Sequence, residues 1–483
     1  MSDPMPAPPP TQTNEVPLDS GAPIPNFLQL QQIPVNYIQQ VETDLLEPVV
    51  FSQGSATSDG FCRFTLQNKG FLHSHSKIFV SVQPSATNED VYFAPHLGVA
   101  QIVKKAVLKI GNKTLNELDS WAGLHAVKSS LISNENNLER EMYMNGRSMS
   151  HKFVYNASSI VNASALGLDT GVENDADADA LFLPDALTMS GVNATEKASC
   201  PSFMIDLSDL FPFLKVHQLP LYMINEPINI ELTFHPTTKF RAQIASGDTA
   251  DIAMNIDQNE LKFCADYIFY GASDEMARYA NANKDLNFSF VDYRVIETTT
   301  SSTSLSSGVI RNLGMANRMC PRVITTFPYD EDTYNEETIL GQYSSMAPFL
   351  NASGVQTGSL RYNIRYNDRF EYTSDVDNTA RLFSIFTDSE GVPFLTRAEY
   401  CGQGDAITDT EAFEGREQKG NLDGHFFYLS TRLSNGRVGQ RGLELHISGD
   451  WASSGRQVSK LRCYCEYMRV ARLTDGHVEI YNA

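Results

Sequence analysis

The sequence predicts an all-β protein built from two tandem domains, on three observations. Short segments with a period of two dominate from about residue 44 onward. In LKFCADYI, residues 261–268, Leu261, Phe263, Ala265 and Tyr267 share one face and Lys262, Cys264 and Asp266 the other. Helical patterns do not alternate regularly with these strands, which argues against a doubly wound parallel sheet. Finally, strand sequences of the first half return, in order, in the second.

The elements follow in chain order. Residues 1–26 hold eight prolines and few aliphatic side chains. Residues 1–43 therefore read as an extended arm, either a loose terminus or a tether that orders on a neighbour. The first domain spans 44–272. Its early strands are VVFSQG, FCRFTL, KIFVSV and KAVLKIG, each bounded by polar or glycine turns. One helix interrupts them, SWAGLHAVKSSLI, with Ser120 as cap and Trp121, Leu124, Val127 and Leu131 toward one side. Residues 134–199 show no period and include the acidic run ENDADADA, which predicts an exposed, elaborated loop. After Gly271 the pattern turns helical. Ser273 heads a first turn carrying Asp274 and Glu275, and Met276, Tyr279 and Ala280 form its apolar stripe. Residues 273–284 thus read as a linker helix, and 285–483 as the second domain, with its own polar loop at 387–424.

The repeat rests on three anchors. LKFCADYI at 261–268 aligns without gaps on LRCYCEYM at 461–468. IELTF at 230–234 resembles LELHI at 443–447, and FPFL at 211–214 resembles FFYL at 426–429. Offsets of 200, 213 and 215 drift as loop insertions would make them. Each copy, roughly 200 residues with about eight short strands, suits a jelly roll or two-sheet sandwich better than an immunoglobulin-like domain of about 100 residues.

Composition excludes some functions. The 483 residues carry 37 basic and 58 acidic side chains, a net charge of −21, with no basic tract, which counts against direct nucleic-acid binding. No run of eighteen apolar residues is present, so no transmembrane helix is expected, and MSDPMPAPPPTQ lacks the features of a secretory signal. Seven scattered cysteines, an odd number, read as free thiols. Cys463 and Cys465 share one strand face and read as buried small hydrophobes.

No motif asks for catalysis. His73 and His75 could point the same way from a strand, but a metal site needs a further ligand, and core or surface histidines are the favoured reading. Glu173, Asp175, Asp177 and Asp179, like Asp330, Glu331 and Asp332, lack the spacing of a calcium loop and read as solvated acids. Six N-x-S/T sequons, at Asn112, Asn156, Asn162, Asn193, Asn287 and Asn351, fit an Asn- and Ser-rich surface. GQGDAI at 402–407 lacks the third glycine of a dinucleotide fingerprint, and Walker A, GxSxG and HExxH sequences do not occur. No catalytic, cofactor-binding or metal residues are predicted.

Four segments resemble the double jelly-roll major capsid proteins of large double-stranded DNA viruses, polinton-like viruses and virophages. ADYIFYGASDEMARYA is similar to the family's first-barrel closing strand and inter-barrel helix, and DLNFSFVDYRVIE to the opening strand of the second barrel. LFPFLKVHQLPLYMINEPINIELTF is similar to the aromatic run before the first barrel's last strands. CEYMRVARLTDGHVEIYNA resembles the family's closing strand and tail. Large-virus members often carry an arginine-rich linker helix, whereas Arg278 is the only arginine at 273–284, which favours a smaller relative such as a polinton-like virus.

The resemblance implies two tandem eight-stranded jelly rolls, with short helices in loops and between the barrels. It implies a structural subunit of the virion capsid, not an enzyme, in which homotrimers form pseudo-hexagonal capsomers that tile an icosahedral shell. The expected partners are further copies, neighbouring capsomers, penton and minor capsid proteins, and an internal membrane. The loops at 134–199 and 387–424 become candidate outward towers. The competing reading is a jelly-roll attachment or lectin-like protein, with exposed aromatic residues as sugar platforms.

Overall fold

The computed structural model describes residues 38–84, 98–129, 202–237, 254–270, 285–300, 308–327, 358–391, 427–450 and 460–482. Positions 91–92, 144–145, 188–189, 347, 349 and 400 are also described. Alternation of apolar and polar residues is what lets each strand cover a core with one face. In Ile228–Phe234 the residues Ile228, Ile230, Leu232 and Phe234 are fully buried and the intervening side chains are half-buried.

Two antiparallel sheets build the first barrel. One contains β1 (Ile38–Leu46), β14 (Lys262–Tyr270), β5 (Lys77–Pro84) and β10 (Ser202–Asp206), with β14 between β1 and β5. The short strands β4 (Phe71–Leu72), β11 (Leu219–Pro220) and β13 (Met254–Ile256) extend it. The facing sheet runs β2 (Val50–Ser52), β3 (Gly60–Leu66), β12 (Ile228–Phe234), β7 (Val103–Ile110) and β8 (Lys113–Asp119). Phe64 of β3 meets Phe263 of β14 across the interior, with ring centroids 5.8 Å apart. A separate pair joins β6 (Val91–Tyr92) to β9 (Thr188–Met189).

The second barrel repeats the plan. β15 (Asp285–Thr299), β22 (Lys460–Thr474), β17 (Arg322–Thr326) and β20 (Leu429–Arg432) form one sheet, with β23 (His477–Asn482) folded back on β22. β16 (Val309–Gly314), β21 (Leu443–Asp450), β18 (Ser359–Tyr366) and β19 (Arg369–Phe370) form the other. In both barrels the first strand pairs with the last long one, β1 with β14 and β15 with β22, and two sheets make up the barrel. This is a double jelly roll.

Two of the three sequence anchors occupy equivalent places. β14 and β22 each lie beside the opening strand of their barrel, and β12 and β21 are both central strands of the facing sheet. The third does not hold. FPFL ends in a helix, α3 (Pro212–Val216), which follows α2 (Leu207–Leu210), whereas FFYL leads into strand β20. Proline at the start of α3 fits a helix N-terminus, where its missing N–H costs nothing.

Other readings shift in detail. The segment assigned to the arm is strand from Ile38, six residues before the boundary at 44. Helix α1 (Trp121–Ser129) begins after Ser120, whose φ of 49° is left-handed where an N-cap is normally extended; its carbonyl accepts the Gly123 and Leu124 N–H groups. The helix α4 (Thr379–Glu390) occupies the start of the loop placed at 387–424. The Asn378 side chain caps it by accepting the Arg381 N–H at 2.8 Å, and Gly391 ends it at φ 69°. Residues 273–284, nearly all of 134–199 and most of 387–424 lie outside the described residues.

Candidate functional site: the seam between the barrels

The barrels are joined along a seam where α1, α3 and β8 of the first meet β15 and β22 of the second. Its apolar part starts from Phe213 of α3, fully buried, whose ring lies 5.1 Å from Phe290 and 5.8 Å from Phe288, both edge-on. Each such pair contributes about 0.5–1.5 kcal/mol beyond its buried area. His217 stands 5.2 Å from Phe213 and 5.5 Å from Phe288, and its Nε2 bonds the Ser289 carbonyl at 2.7 Å. Burial holds the imidazole below its usual pKa, so it sits there neutral, with Nε2–H as donor.

Beside this lies a buried ion pair. Asp292 is 1% exposed and takes a 2.7 Å bond from Arg469, besides bonds from the Tyr467 hydroxyl and the Tyr293 N–H. Arg469 belongs to the second barrel, yet it also donates to the Leu115 and Thr114 carbonyls of β8 at 2.9 and 3.2 Å. One guanidinium therefore joins a buried carboxylate to the edge of the other barrel. Burial pushes the Asp292 carboxyl above its ordinary range, against the opposing pull of Arg469.

A charged chain continues along α1. Lys128 donates to the Tyr293 hydroxyl and its Nζ lies 4.2 Å from that ring's centroid. Tyr293 in turn donates to Glu466 at 3.3 Å. Arg322 grips Glu466 through Nε and Nη2 at 2.8 and 2.6 Å and Glu390 of α4 at 2.7 Å. Burial, with Lys215 nearby, lowers the Lys128 ammonium to about 8. Tyr464 donates to the Ser120 carbonyl at 3.0 Å, and it can do so because position 123 is glycine: a Cβ there would lie 2.4 Å from the Tyr464 oxygen.

The far end is closed by the β22–β23 turn, Asp475–Gly476, with φ of 50° and 83°. Positive φ at both central residues is the hairpin geometry that an Asp-Gly pair favours. The Gly476 carbonyl accepts the Asn225 N–H at 2.9 Å, His477 Nδ1 meets Glu226 at 2.9 Å, and Lys113 Nζ donates to the Val478 carbonyl at 2.6 Å.

The residues weighed from sequence lie elsewhere. His73 and His75 sit in the turn between β4 and β5 rather than on a strand. Their rings are 5.3 Å apart, and the His73 Nδ1 accepts the His75 N–H. Among the described residues no group of three or more His, Cys, Asp or Glu is arranged to hold a metal. Cys463 and Cys465 share the buried face of β22; burial raises the Cys463 thiol to about 11, and a hydrogen bond with Cys320, together with burial, raises that of Cys465. The acids Glu173, Asp175, Asp177, Asp179, Asp330, Glu331 and Asp332 fall outside the described residues.

The seam residues themselves carry no motif. Their signal in the sequence is charge at positions where the strand pattern calls for apolar side chains, as at Asp292 after Leu286, Phe288 and Phe290, and at Arg469 after Leu461, Cys463, Cys465 and Tyr467. What the arrangement does is mechanical: it fixes one barrel on the other through apolar, ionic and main-chain contacts.

Comparison with known proteins agrees with the architecture. No protein-family model matches the chain, and no curated protein matches its sequence. Among solved structures, a chain of the PBCV-1 virus capsid aligns over 92% of this chain and 98% of its own, with a TM-score of 0.53 at 12% identity. A chain from the cryo-EM structure of the Sputnik virophage aligns over 100% of this chain and 94% of its own, with a TM-score of 0.52 at 10% identity. At such identities the likeness establishes the fold, over nearly the whole chain.

Proposed function

We propose that this chain is a viral major capsid protein whose homotrimers are the pseudo-hexagonal capsomers of an icosahedral virion shell. The observation that carries the reading is the pair of jelly rolls fused by a built seam, in a fold shared end to end with the PBCV-1 and Sputnik capsid chains. Two similar lobes per chain give a threefold assembly six similar lobes, an outline that tiles a plane. In this reading residues 273–284 link the barrels, and the N-terminal arm reaches neighbouring capsomers, minor capsid or penton proteins, or a membrane beneath the shell.

Light scattering on the purified protein tests this. A single species near three times the 53.7 kDa chain mass, with hexagonal outlines in negative stain, is expected. A monomer that persists at high concentration overturns it and brings forward the attachment-protein reading, which a glycan-binding screen would then examine.

A further inference from the structure

The opening strand of the first barrel has its pattern inverted. Val41 and Leu45 on its outer face are 57% and 61% exposed, and the adjoining Val49 is 63% exposed. The alternate positions Glu42 and Asp44 are half-buried, tied to Lys69 at 2.5 and 2.7 Å. Inward-pointing acids are one way an edge strand is kept from further pairing, but here they leave its apolar side chains outward. Apolar residues gathered on an outer face in this way mark a surface that a partner covers.

The internal repeat says what covers it. Asp266 and Glu466 stand 200 positions apart in the matched strands β14 and β22, and their partners across the ladder are Thr43 on β1 and Tyr293 on β15. The same register sets Val41 beside Val291 as counterparts, and Leu45 beside Val295. Val291 and Val295 are partly buried against the core, whereas Val41 and Leu45 are open. On the outer face of β15 and β22, Tyr293 and Tyr464 meet α1 of the first barrel, through Lys128 and the Ser120 carbonyl that opens it. The helix equivalent to α1 is α4, which likewise follows the last strand of its sheet: DSWAGL at 119–124 corresponds to DNTARL at 377–382. Thus Gly123 corresponds to Arg381.

We infer that α4 of one copy packs on the outer face of β1 and β14 of the next, repeating between chains the contact that α1 makes within the chain. The inference rests on the trimer reading and names its interface. Size and charge are both complementary. Within the chain the large Tyr464 fits against Gly123; between chains the small Cys264, counterpart of Tyr464, accepts the large Arg381. Asp266, counterpart of Glu466, gives that guanidinium a carboxylate partner. The Lys128–Tyr293 contact is not repeated, since Phe386 is buried in its own barrel and Thr43 is short. A contact of one surface with a different surface, passed from copy to copy, closes into a ring when the rotation fits.

The test is a charge exchange read by light scattering. Asp266→Arg and Arg381→Asp alone should each drop the mass from trimer toward 53.7 kDa, with the far-ultraviolet circular dichroism spectrum unchanged. Asp266→Arg/Arg381→Asp together should restore the trimer. Separately, Arg381→Cys treated with a copper–phenanthroline oxidant, which takes up the two electrons as both thiols lose their protons, should form a disulfide with Cys264 of the adjacent copy, giving a covalent ladder on a non-reducing gel that Cys264→Ser abolishes. Single variants that remain trimeric, with no ladder, overturn this interface while leaving the trimer standing. A monomeric wild type overturns both.

Discussion

Arg469→Met should cost this protein about 3–5 kcal/mol of folding stability, the usual penalty for removing one partner of a buried ion pair. The geometry sets the figure at that end of the scale. Asp292 is 1% exposed, so loss of the 2.7 Å bond strands a carboxylate in the interior, where the Tyr467 hydroxyl and the Tyr293 N–H do not balance its charge. The Leu115 and Thr114 carbonyls lose their donor from the opposite barrel at the same time. Burial already raises the Asp292 carboxyl, and without Arg469 it rises further. A folded state that holds a proton more tightly than the unfolded chain loses stability as pH rises between the two pKa values. The deficit of Arg469→Met is therefore largest near pH 7 and shrinks on acidification toward pH 4. Adding Asp292→Asn removes the stranded charge and should recover a large share of the loss. Urea melts of the four proteins at pH 7 and pH 5 measure this cycle. An Arg469→Met protein within about 0.5 kcal/mol of wild type at pH 7, the range of inconsequential surface changes, would refute the argument, as would a double variant no better than the single.

Other consequences follow from the seam. Lys128 sheds its proton near 8 when folded but binds it to about 10.5 when unfolded, so its contribution to stability rises with pH between those values; Lys128→Met should lose ground to wild type in urea melts as pH goes from 8 to 10. Gly476→Ala places a Cβ at φ 83°, worth about 1–2 kcal/mol of backbone strain, and displaces the Asn225 amide, 2.1 Å from that Cβ; the same melts should register the loss. Gly123→Ala drives the Tyr464 hydroxyl off the Ser120 carbonyl, for about 1–3 kcal/mol of overpacking, and Tyr464→Phe in the same chain should return part of it. Unchanged melting in either glycine variant would mean that the barrels do not need this close approach.

The period-two pattern of strands such as LKFCADYI and IELTF, and their return in order in the second half, determined the fold class and the duplication. These are local properties, since alternation decides which face of a strand is buried before its partners are known. The sequence also marked Cys463 and Cys465 as interior residues by their spacing alone. It misplaced FPFL, because a short apolar run satisfies a strand and a helix turn alike, and what favours the helix is Pro212 at its first turn together with the packing of Phe213 against Phe288 and Phe290. It placed the opening of the first barrel after 43, since in β1 the acids face inward and the apolar residues outward, against the rule used to find strands. The seam was closed to sequence reading for a further reason. Arg469 reaches carbonyls more than 350 positions away, Lys128 pairs with Tyr293, and Asn225 binds Gly476. Such pairs share no spacing or motif, because what joins them is where two separately closed barrels come to rest on each other. The identity of each barrel lies in local alternation, while their union depends on side chains whose partners exist only once both cores have formed.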